Sequence, residues 1–220
     1  MTTDANASRP PRWVVGVDIG GTFTDLVAID LATDRRLTAK SLTTPEDPGQ
    51  GIADVLELAA RESGVALERA QTFVHATTLA INTVIERTGA TVGLLATDGF
   101  TDVLEMGHGN RYDMFDLQIE RQPPLVDRRR RIPVAERTDS RGVVVSPLDP
   151  ESVAAAVAGL EAEGVESVAV CLLHAYRNPL HEHDVAAAVA QRLPAVPVSV
   201  SSEVAPVILE YERTVATVVK

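Results

Sequence analysis

Apolar and polar residues alternate most regularly near the amino terminus, and a period of two predicts β-strands. Three strands are expected, at residues 13–19, 23–30 and 37–41. A Gly-Gly pair separates the first two strands, and residues 32–35 separate the second strand from the third. The ordered part of the chain is therefore predicted to begin with three consecutive strands.

A helical period replaces this alternation after residue 44. Apolar residues recur at helical spacing from 52 to 59, residues 44–48 provide helix-capping types, and Gly64 is expected to end the helix. The next expected elements are a strand at 72–74, a helix at 78–86, a strand at 91–96 and a helical turn at 100–104. This order of elements is that of an α/β, ribonuclease-H-like nucleotide-binding lobe, expected at residues 13–106.

Periodicity is lost at residues 107–129, and a second α/β pattern follows at residues 130–205. Its expected elements are strands at 132–137, 143–145, 167–172 and 198–201, with helices at 149–163 and 178–193. A loop as long as 107–129 indicates a substrate loop or a linker. Residues 206–220 resume a helical pattern that stops abruptly, so we expect a truncated continuation, and residues 1–12 are expected to be a disordered lead-in.

Composition and charge exclude several classes of function. A formal net charge of −11 over 220 residues argues against a nucleic-acid partner. Lysine occurs only at positions 40 and 220, so a catalytic lysine is not expected. The single cysteine, Cys171, excludes an intrachain disulfide and is expected to be a small buried residue. No signal-like amino terminus and no apolar run near ~18 residues is present, so we expect a cytoplasmic protein without a membrane partner.

The candidate chemistry lies in residues 14–30, which read VVGVDIGGTFTDLVAID. A phosphate needs backbone N–H groups brought close, which glycine permits because it has no Cβ, and short hydroxyls that donate hydrogen bonds. Gly20, Gly21, Thr22 and Thr24 offer both. This strand-turn-strand resembles the nucleotide-phosphate hairpin of the actin, sugar-kinase and Hsp70 superfamily, and that resemblance implies ATP as cofactor. The alternative is an ordinary Gly-Gly hairpin.

Two carboxylates flank the turn and make it a candidate magnesium site. A Mg²⁺ ion that rides on a phosphate needs a nearby carboxylate and keeps most of its water ligands. Asp18 ends the first strand, and Asp25 begins the second one just past the turn. We therefore expect Asp18 and Asp25 to hold Mg²⁺ through water.

A second polar cluster lies at a predicted strand-to-helix junction. His75, Thr77 and Thr78 stand there, with Asn82 following, and the N–H groups and dipole of a helix start favour an anion. The alternative is that Thr77 or Thr78 only caps the helix while His75 is a satisfied core residue. Arg111 lies in the 107–129 loop, where a solvated surface is the alternative to a substrate site.

Six segments together resemble the N-terminal region of the hydantoinase A / 5-oxoprolinase family, which includes the ATP-dependent N-methylhydantoinase and acetone carboxylase type subunits. They are GVDIGGTFTD (16–25), HATTLAINTVIERTGA (75–90), TDGFTDVLEMG (97–107), NRYDMFDL (110–117), LLHAYRNPLHE (172–182) and SSEVAPVILEYERTVATVV (201–219). Their order and spacing cover nearly all of residues 13–220. Family members continue well beyond the last segment, so the chain is expected to be an N-terminal fragment that is inactive alone.

The resemblance implies an ATP-dependent cyclic-amide hydrolase, which opens a hydantoin or 5-oxoproline type ring through a phosphorylated intermediate. It also implies that His75, Thr77 and Thr78 face the substrate oxygen or the transferred phosphate, that Arg111 orients the substrate, and that a B-type hydantoinase subunit is a partner. One alternative is a subunit of an ATP-dependent ketone carboxylase. Others are a sugar or acetate type kinase and an Hsp70-like ATPase lobe without small-molecule turnover.

Overall fold

The computed structural model describes residues 12–44, 46–63, 70–110, 113, 115–116, 118 and 122–220. The chain forms two compact units that divide between Thr88 and Gly89. In the described part of the chain, no helix has the length and apolar character needed to cross a membrane. Most of the expected lead-in (residues 1–11) and the expected helix stop at Gly64 lie outside the described residues.

In its described residues, the first unit contains a four-stranded sheet and two helices, at the places that the sequence predicted. Its elements are β1 (Trp13–Ile19), β2 (Phe23–Asp30), β3 (Arg36–Leu42), α1 (Pro48–Ser63), β4 (Thr72–Thr77) and α2 (Leu79–Glu86). The order across the sheet is β3-β2-β1-β4, with β4 parallel to β1 and the other pairs antiparallel. β4 is longer than expected because its last residues continue to pair alongside β1 as far as Ile19.

One face of this sheet forms the core of the first unit. The inward residues of β1 alternate from Trp13 to Ile19, and together with Leu26 they pack with Val55 and Ala59 of α1. Successive strand residues point to opposite faces, so the intervening residues of β1, which include Asp18, face away from this core. The core thereby fixes the register that brings the Gly-Gly turn and its flanking carboxylates to one end of the sheet.

The second unit is built on a parallel sheet in the order β10-β9-β5-β6. Its strands are β5 (Val92–Thr97), β6 (Arg131–Val134), β7 (Arg137–Thr138), β8 (Val144–Ser146), β9 (Ser167–Cys171) and β10 (Val198–Val200). Its helices are α3 (Val103–Met106), α4 (Pro150–Ala162), α5 (Leu180–Arg192), α6 (Ser201–Val204) and α7 (Glu210–Val219). β7 and β8 form a separate antiparallel pair. The mixed α/β class is confirmed.

The strand expected at 91–96 is present as β5, but it belongs to a different sheet from the one predicted. The sequence analysis assigned it to the 13–106 lobe, whereas the structure pairs β5 with β6 and β9 in the second unit. β5 is buried on both faces: Leu95 packs with residues of α4 and α5, and Leu94 packs with Leu104 and Val218. A continuous apolar strand requires cover on both faces, which the parallel sheet of the second unit supplies.

Candidate functional site

The Gly-Gly turn is tight, and both glycines are needed for space. The Gly20 N–H donates to the Phe23 carbonyl oxygen at 2.9 Å. A Cβ on Gly20 would lie 3.1 Å from that same oxygen, and a Cβ on Gly21 would lie 2.8 Å from Nδ2 of Asn82. Neither glycine has a positive φ, so steric room, and not a left-handed backbone, requires glycine at these positions.

Two threonines, Thr24 and Thr43, stabilise the turn through hydrogen bonds. Thr43 donates its hydroxyl to the Gly20 carbonyl at 2.9 Å and its backbone N–H to the Thr22 carbonyl at 2.9 Å. Thr24 is fully buried, and its hydroxyl lies 3.2 Å from the Thr43 hydroxyl, to which it donates because the Thr43 proton is already used. Thr24 therefore supports the turn from inside the core, whereas Thr22 is exposed at the turn itself.

The two candidate metal carboxylates lie side by side but have different surroundings. Asp18 and Asp25 are register partners on β1 and β2, so both lie on the face away from the core. Asp25 forms an ion pair with Lys40, whose Nζ lies 2.9 Å from Oδ1. Asp18 is exposed and has no bonded partner within the described residues. Asp18 is therefore the carboxylate that is available to a ligand.

Lys40 is a site residue that sequence reasoning missed. It was set aside because lysine is so rare in this chain, yet the register of β2 and β3 places it directly opposite Asp25. Its ammonium also lies 4.7 Å from the centre of the Phe23 ring. Only the pairing register of the third strand could have indicated this position.

The second polar cluster lies against the end of β1, immediately before the glycines. The Thr78 N–H donates to the Ile19 carbonyl at 3.1 Å, and the hydroxyls of Thr77 and Thr78 point at the same oxygen from 3.4 and 3.5 Å. The Thr77 hydroxyl also accepts from the Leu79 N–H at 3.2 Å, whereas the Thr78 side chain makes no capping bond. The structure thus brings both threonines beside the turn.

His75 and Arg111 have different outcomes. His75 is exposed on β4, opposite Val17 in the register, so the alternative of a satisfied core histidine is wrong. Arg111 lies outside the described residues, and its expected role stays a prediction.

In the described part of the chain, no three His, Cys, Asp or Glu side chains gather into a metal cluster. A divalent ion at Asp18 would therefore take its other ligands from phosphate oxygens and water.

The polar motif residues of the second unit are buried and bonded to one another. The Glu182 carboxylate accepts from the Leu172 N–H at 2.9 Å, from the Ser201 hydroxyl at 2.6 Å and from the Ser202 N–H at 2.9 Å. Arg213 donates to the Leu172 carbonyl at 3.1 Å, so the backbone N–H of Leu172 is bonded to a buried carboxylate and its carbonyl to a buried guanidinium. This arrangement joins α5, α6 and α7 to the end of β9.

A second buried group lies at the ends of β5 and β6. His181 Nδ1 is 2.8 Å from Glu136 Oε2, and the Thr97 hydroxyl donates to the other oxygen of Glu136 while it accepts from the Leu173 N–H at 2.8 Å. Cys171 is buried, as expected, and burial raises its pKa to about 12. The carboxyl edge of this sheet is therefore filled by its own side chains.

The comparisons with known proteins agree with this architecture. The family model described as hydantoinase/oxoprolinase N-terminal region matches residues 14–193. Caprolactamase subunit alpha from Pseudomonas jessenii is 38% identical over 214 residues, which cover 94% of this chain and 31% of that protein.

Two solved structures also match. The nucleotide-free structure of acetone carboxylase, from work on ATP-dependent acetone carboxylation, aligns with a TM-score of 0.84 and 32% identity over 96% of this chain and 32% of its own. The crystal structure of ATP-dependent caprolactamase from Pseudomonas jessenii aligns with a TM-score of 0.78 and 37% identity over 93% and 30%.

The chain thus spans about a third of the length of the relatives that it matches. The match to the family model covers both units, including the Gly-Gly hairpin and the buried Glu182. The chain belongs to the hydantoinase/oxoprolinase N-terminal region family.

Proposed function

We propose that this chain is the N-terminal part of an ATP-dependent enzyme that opens a cyclic amide through a phosphorylated intermediate. The observation that carries the proposal is the arrangement of the unbonded Asp18, the Gly20–Gly21 turn and the threonine pair at 77 and 78 around one end of β1. Its family relatives include an ATP-dependent caprolactamase, which is named for a lactam substrate.

The amide carbonyl resists water because resonance stabilises it, and phosphorylation of its oxygen removes that resistance. The γ-phosphoryl group of ATP would pass to the carbonyl or enol oxygen, and ADP would leave. Water would then add to the activated carbon, and the ring C–N bond would break as the nitrogen takes up a proton, which leaves an acyl phosphate. A second water would hydrolyse the acyl phosphate to the carboxylate and free phosphate. Such transfer depends on positioning and on neutralising charge.

In this proposal Gly20, Gly21 and Thr22 cradle the phosphate, and Thr24 positions them through Thr43. The exposed hydroxyl of Thr22 is free to donate, whereas the buried hydroxyl of Thr24 is already used. The turn therefore contributes one side-chain donor in addition to the backbone N–H groups of Gly21 and Thr22, since the Gly20 N–H is bonded to the Phe23 carbonyl.

Asp18 would hold a magnesium ion through water, and that ion would supply charge neutralisation on the phosphate. Asp25 would contribute less directly to holding the magnesium ion, because its carboxylate is already paired with Lys40. The ion pair would keep the positive ammonium of Lys40 near the phosphate site.

Thr77 and Thr78 would face the acceptor oxygen, and Arg111 would orient the substrate. His75 would face the same oxygen from the edge of β4, since it is the register partner of the inward-facing Val17 and lies on the opposite face of the sheet from Asp18.

The similarity to acetone carboxylase favours one second candidate, an ATP-dependent ketone carboxylase subunit. There the phosphorylated group would be the enol oxygen of a ketone, and activated carbonate would replace water as the partner in carbon–carbon bond formation. The residues at the phosphate site would have the same roles in both reactions, so only the acceptor distinguishes the two.

Partners and location are part of the same proposal. Because a relative is named as a subunit, we expect a B-type hydantoinase subunit to complete the enzyme. A requirement for ATP would place the enzyme in the cytoplasm. The intact mass of the native gene product provides the first check: a species several-fold heavier than 23.5 kDa supports the assignment of these residues to a larger enzyme.

The test uses the native gene product together with any subunit that copurifies with it. ATP consumption is measured with hydantoin, 5-oxoproline, caprolactam, and acetone plus bicarbonate, and Asp18→Asn is compared with Asp34→Asn. Asp34 is an exposed aspartate in the β2–β3 turn, so it is a matched control for the loss of one charge. We expect Asp18→Asn to abolish substrate-dependent nucleotide release and Asp34→Asn to leave it unchanged. Equal turnover of the two variants would refute the assignment of Asp18.

A further inference from the structure

The side chain of Asn82 in α2 lies directly beside Gly21 of the Gly-Gly turn. Its Nδ2 lies 2.8 Å, and its Cγ 3.6 Å, from the position that a Cβ on Gly21 would occupy. Asn82 lies one helical turn after Thr78, since its N–H donates to the Thr78 carbonyl at 2.9 Å. Its side chain is therefore on the face of α2 that carries the threonine contacts to β1.

The amide of Asn82 is half-buried and has no hydrogen-bond partner within the described residues. Neither polar atom of this amide is among the buried unsatisfied atoms of the described residues, so water reaches it in the free protein. The amide is therefore an unbonded donor beside the turn that is available to a ligand. A ligand with acceptor oxygens at the turn would provide the missing partner.

We infer that Asn82 is a binding residue of the phosphate site and donates its Nδ2–H to a phosphoryl oxygen held by Gly20, Gly21 and Thr22. This inference rests on the proposed function, because it adds a donor to the same site. It also gives a reason for glycine at position 21, which has no positive φ: a Cβ there would push the Asn82 amide away from the turn. The phosphate would thus be enclosed by two segments about 60 residues apart in sequence.

The test compares three variants in the native enzyme with ATP and its best substrate. Asn82→Asp keeps the shape, removes the donor and adds a negative charge, whereas Asn82→Ala only removes the donor. Ala80→Asp adds the same charge two residues away, at an exposed position of α2 that faces another direction. We expect Asn82→Ala to lower kcat/KM for ATP about 10- to 100-fold and Asn82→Asp to lower it further. Ala80→Asp should resemble the wild type, and the melting temperatures of all three should stay similar.

A second pair of variants separates donation from packing. Gly21→Ala should be impaired because its Cβ displaces Asn82, and Gly21→Ala/Asn82→Ala restores the room without restoring the donor. If Asn82 donates, the double variant is no better than Asn82→Ala. If Asn82 only packs, Asn82→Ala and the double variant both approach wild-type kcat/KM, and the inference is overturned.

The wild-type enzyme and the Asp18→Asn variant test the proposed function, whereas the Asn82 variants test this inference. Wild-type activity that is lost in Asp18→Asn but kept in Asn82→Ala and Asn82→Asp would leave the proposed function standing and overturn this inference alone. A wild-type enzyme without substrate-dependent ATP consumption would overturn both.

Discussion

The Gly-Gly hairpin and the carboxyl edge of the second sheet are both rich in polar motif residues, but they use them in opposite ways. Around the hairpin, Asp18, Thr22 and His75 are exposed, and no described residue is bonded to their side chains. In the second unit, Glu182 and Arg213 are buried, and each is bonded to two or more groups of the protein. Motif residues that the fold already satisfies build the fold, and those that it leaves unsatisfied are available to a ligand.

The largest expected effect in this comparison comes from Glu182→Gln. The amide keeps the shape but replaces one acceptor oxygen with a donor, so a hydrogen bond to Leu172, Ser201 or Ser202 is lost and Arg213 loses a nearby opposite charge. The loss of a buried hydrogen bond to a charged group costs about 1.5–3 kcal/mol of the free energy of unfolding. Urea denaturation with thiol labelling of Cys171, the single and buried cysteine of the second unit, measures the loss.

Glu203→Gln is the matched control, because Glu203 is an exposed glutamate close to the same helices. The single tryptophan, Trp13, provides a separate fluorescence signal from the core of the first unit. A Trp13 midpoint that moved as far as the Cys171 midpoint would contradict the view that each unit is stabilised by its own core. An unchanged Cys171 midpoint would mean that the Glu182 network adds nothing to stability.

Thr24→Val tests the same distinction inside the hairpin and should have the next largest effect. Thr24 is buried, and its hydroxyl donates to Thr43, so an isosteric valine leaves a buried acceptor without its donor. We expect a loss of about 1–2 kcal/mol in the free energy of unfolding, measured through Trp13 fluorescence. Thr22→Val, at the exposed turn, should change stability by less than about 0.5 kcal/mol. Equal losses for the two variants would show that Thr24 is not the support of the turn.

The sequence predicted the elements well because each has a local signal. The strands around the glycines, the helix from Pro48 and the alternating helices and strands after residue 130 follow from periodicity and capping residues. The sheet to which β5 belongs was not predictable, because a buried apolar strand carries no signal that identifies its neighbours. Pairing partners depend on the long-range packing of helices on both faces.

The candidate site was predictable to the extent that its residues adjoin the turn in sequence or share the resemblance. The turn, Thr77 and Thr78 were identified from their motifs, and the structure brings them together. The ion pair between Asp25 and Lys40 was missed, because it depends on strand register. The support role of Thr24 was missed too, since Thr22 and Thr24 look equivalent in sequence, although Thr22 lies exposed in the turn and Thr24 is buried within β2.

The smallest effect expected is a difference between the two units in acid. In the first unit, the Thr33 hydroxyl and the backbone N–H groups of Ala32 and Arg12 lower the pKa of Asp30. In the second unit three carboxyls have a lowered pKa: Glu105 through the Arg131 guanidinium, Asp139 through the Val143 N–H, and Glu166 through the Thr91 N–H. A carboxyl whose pKa is lower in the folded than in the unfolded state stabilises the fold above its unfolded pKa, and this contribution is lost as the pH falls.

The second unit should therefore lose more of its free energy of unfolding than the first between about pH 6 and about pH 3.5. Urea midpoints at the two pH values measure this, with Trp13 fluorescence for the first unit and dithiodipyridine labelling of Cys171, which proceeds in acid, for the second. Glu105→Gln removes the carboxyl that bonds to Arg131 and should reduce the acid loss of the second unit while lowering its stability at neutral pH. If the Trp13 and Cys171 urea midpoints fell equally with pH, these surface carboxyls would not distinguish the two units. The difference between the units would then rest on the buried Glu182 and Arg213.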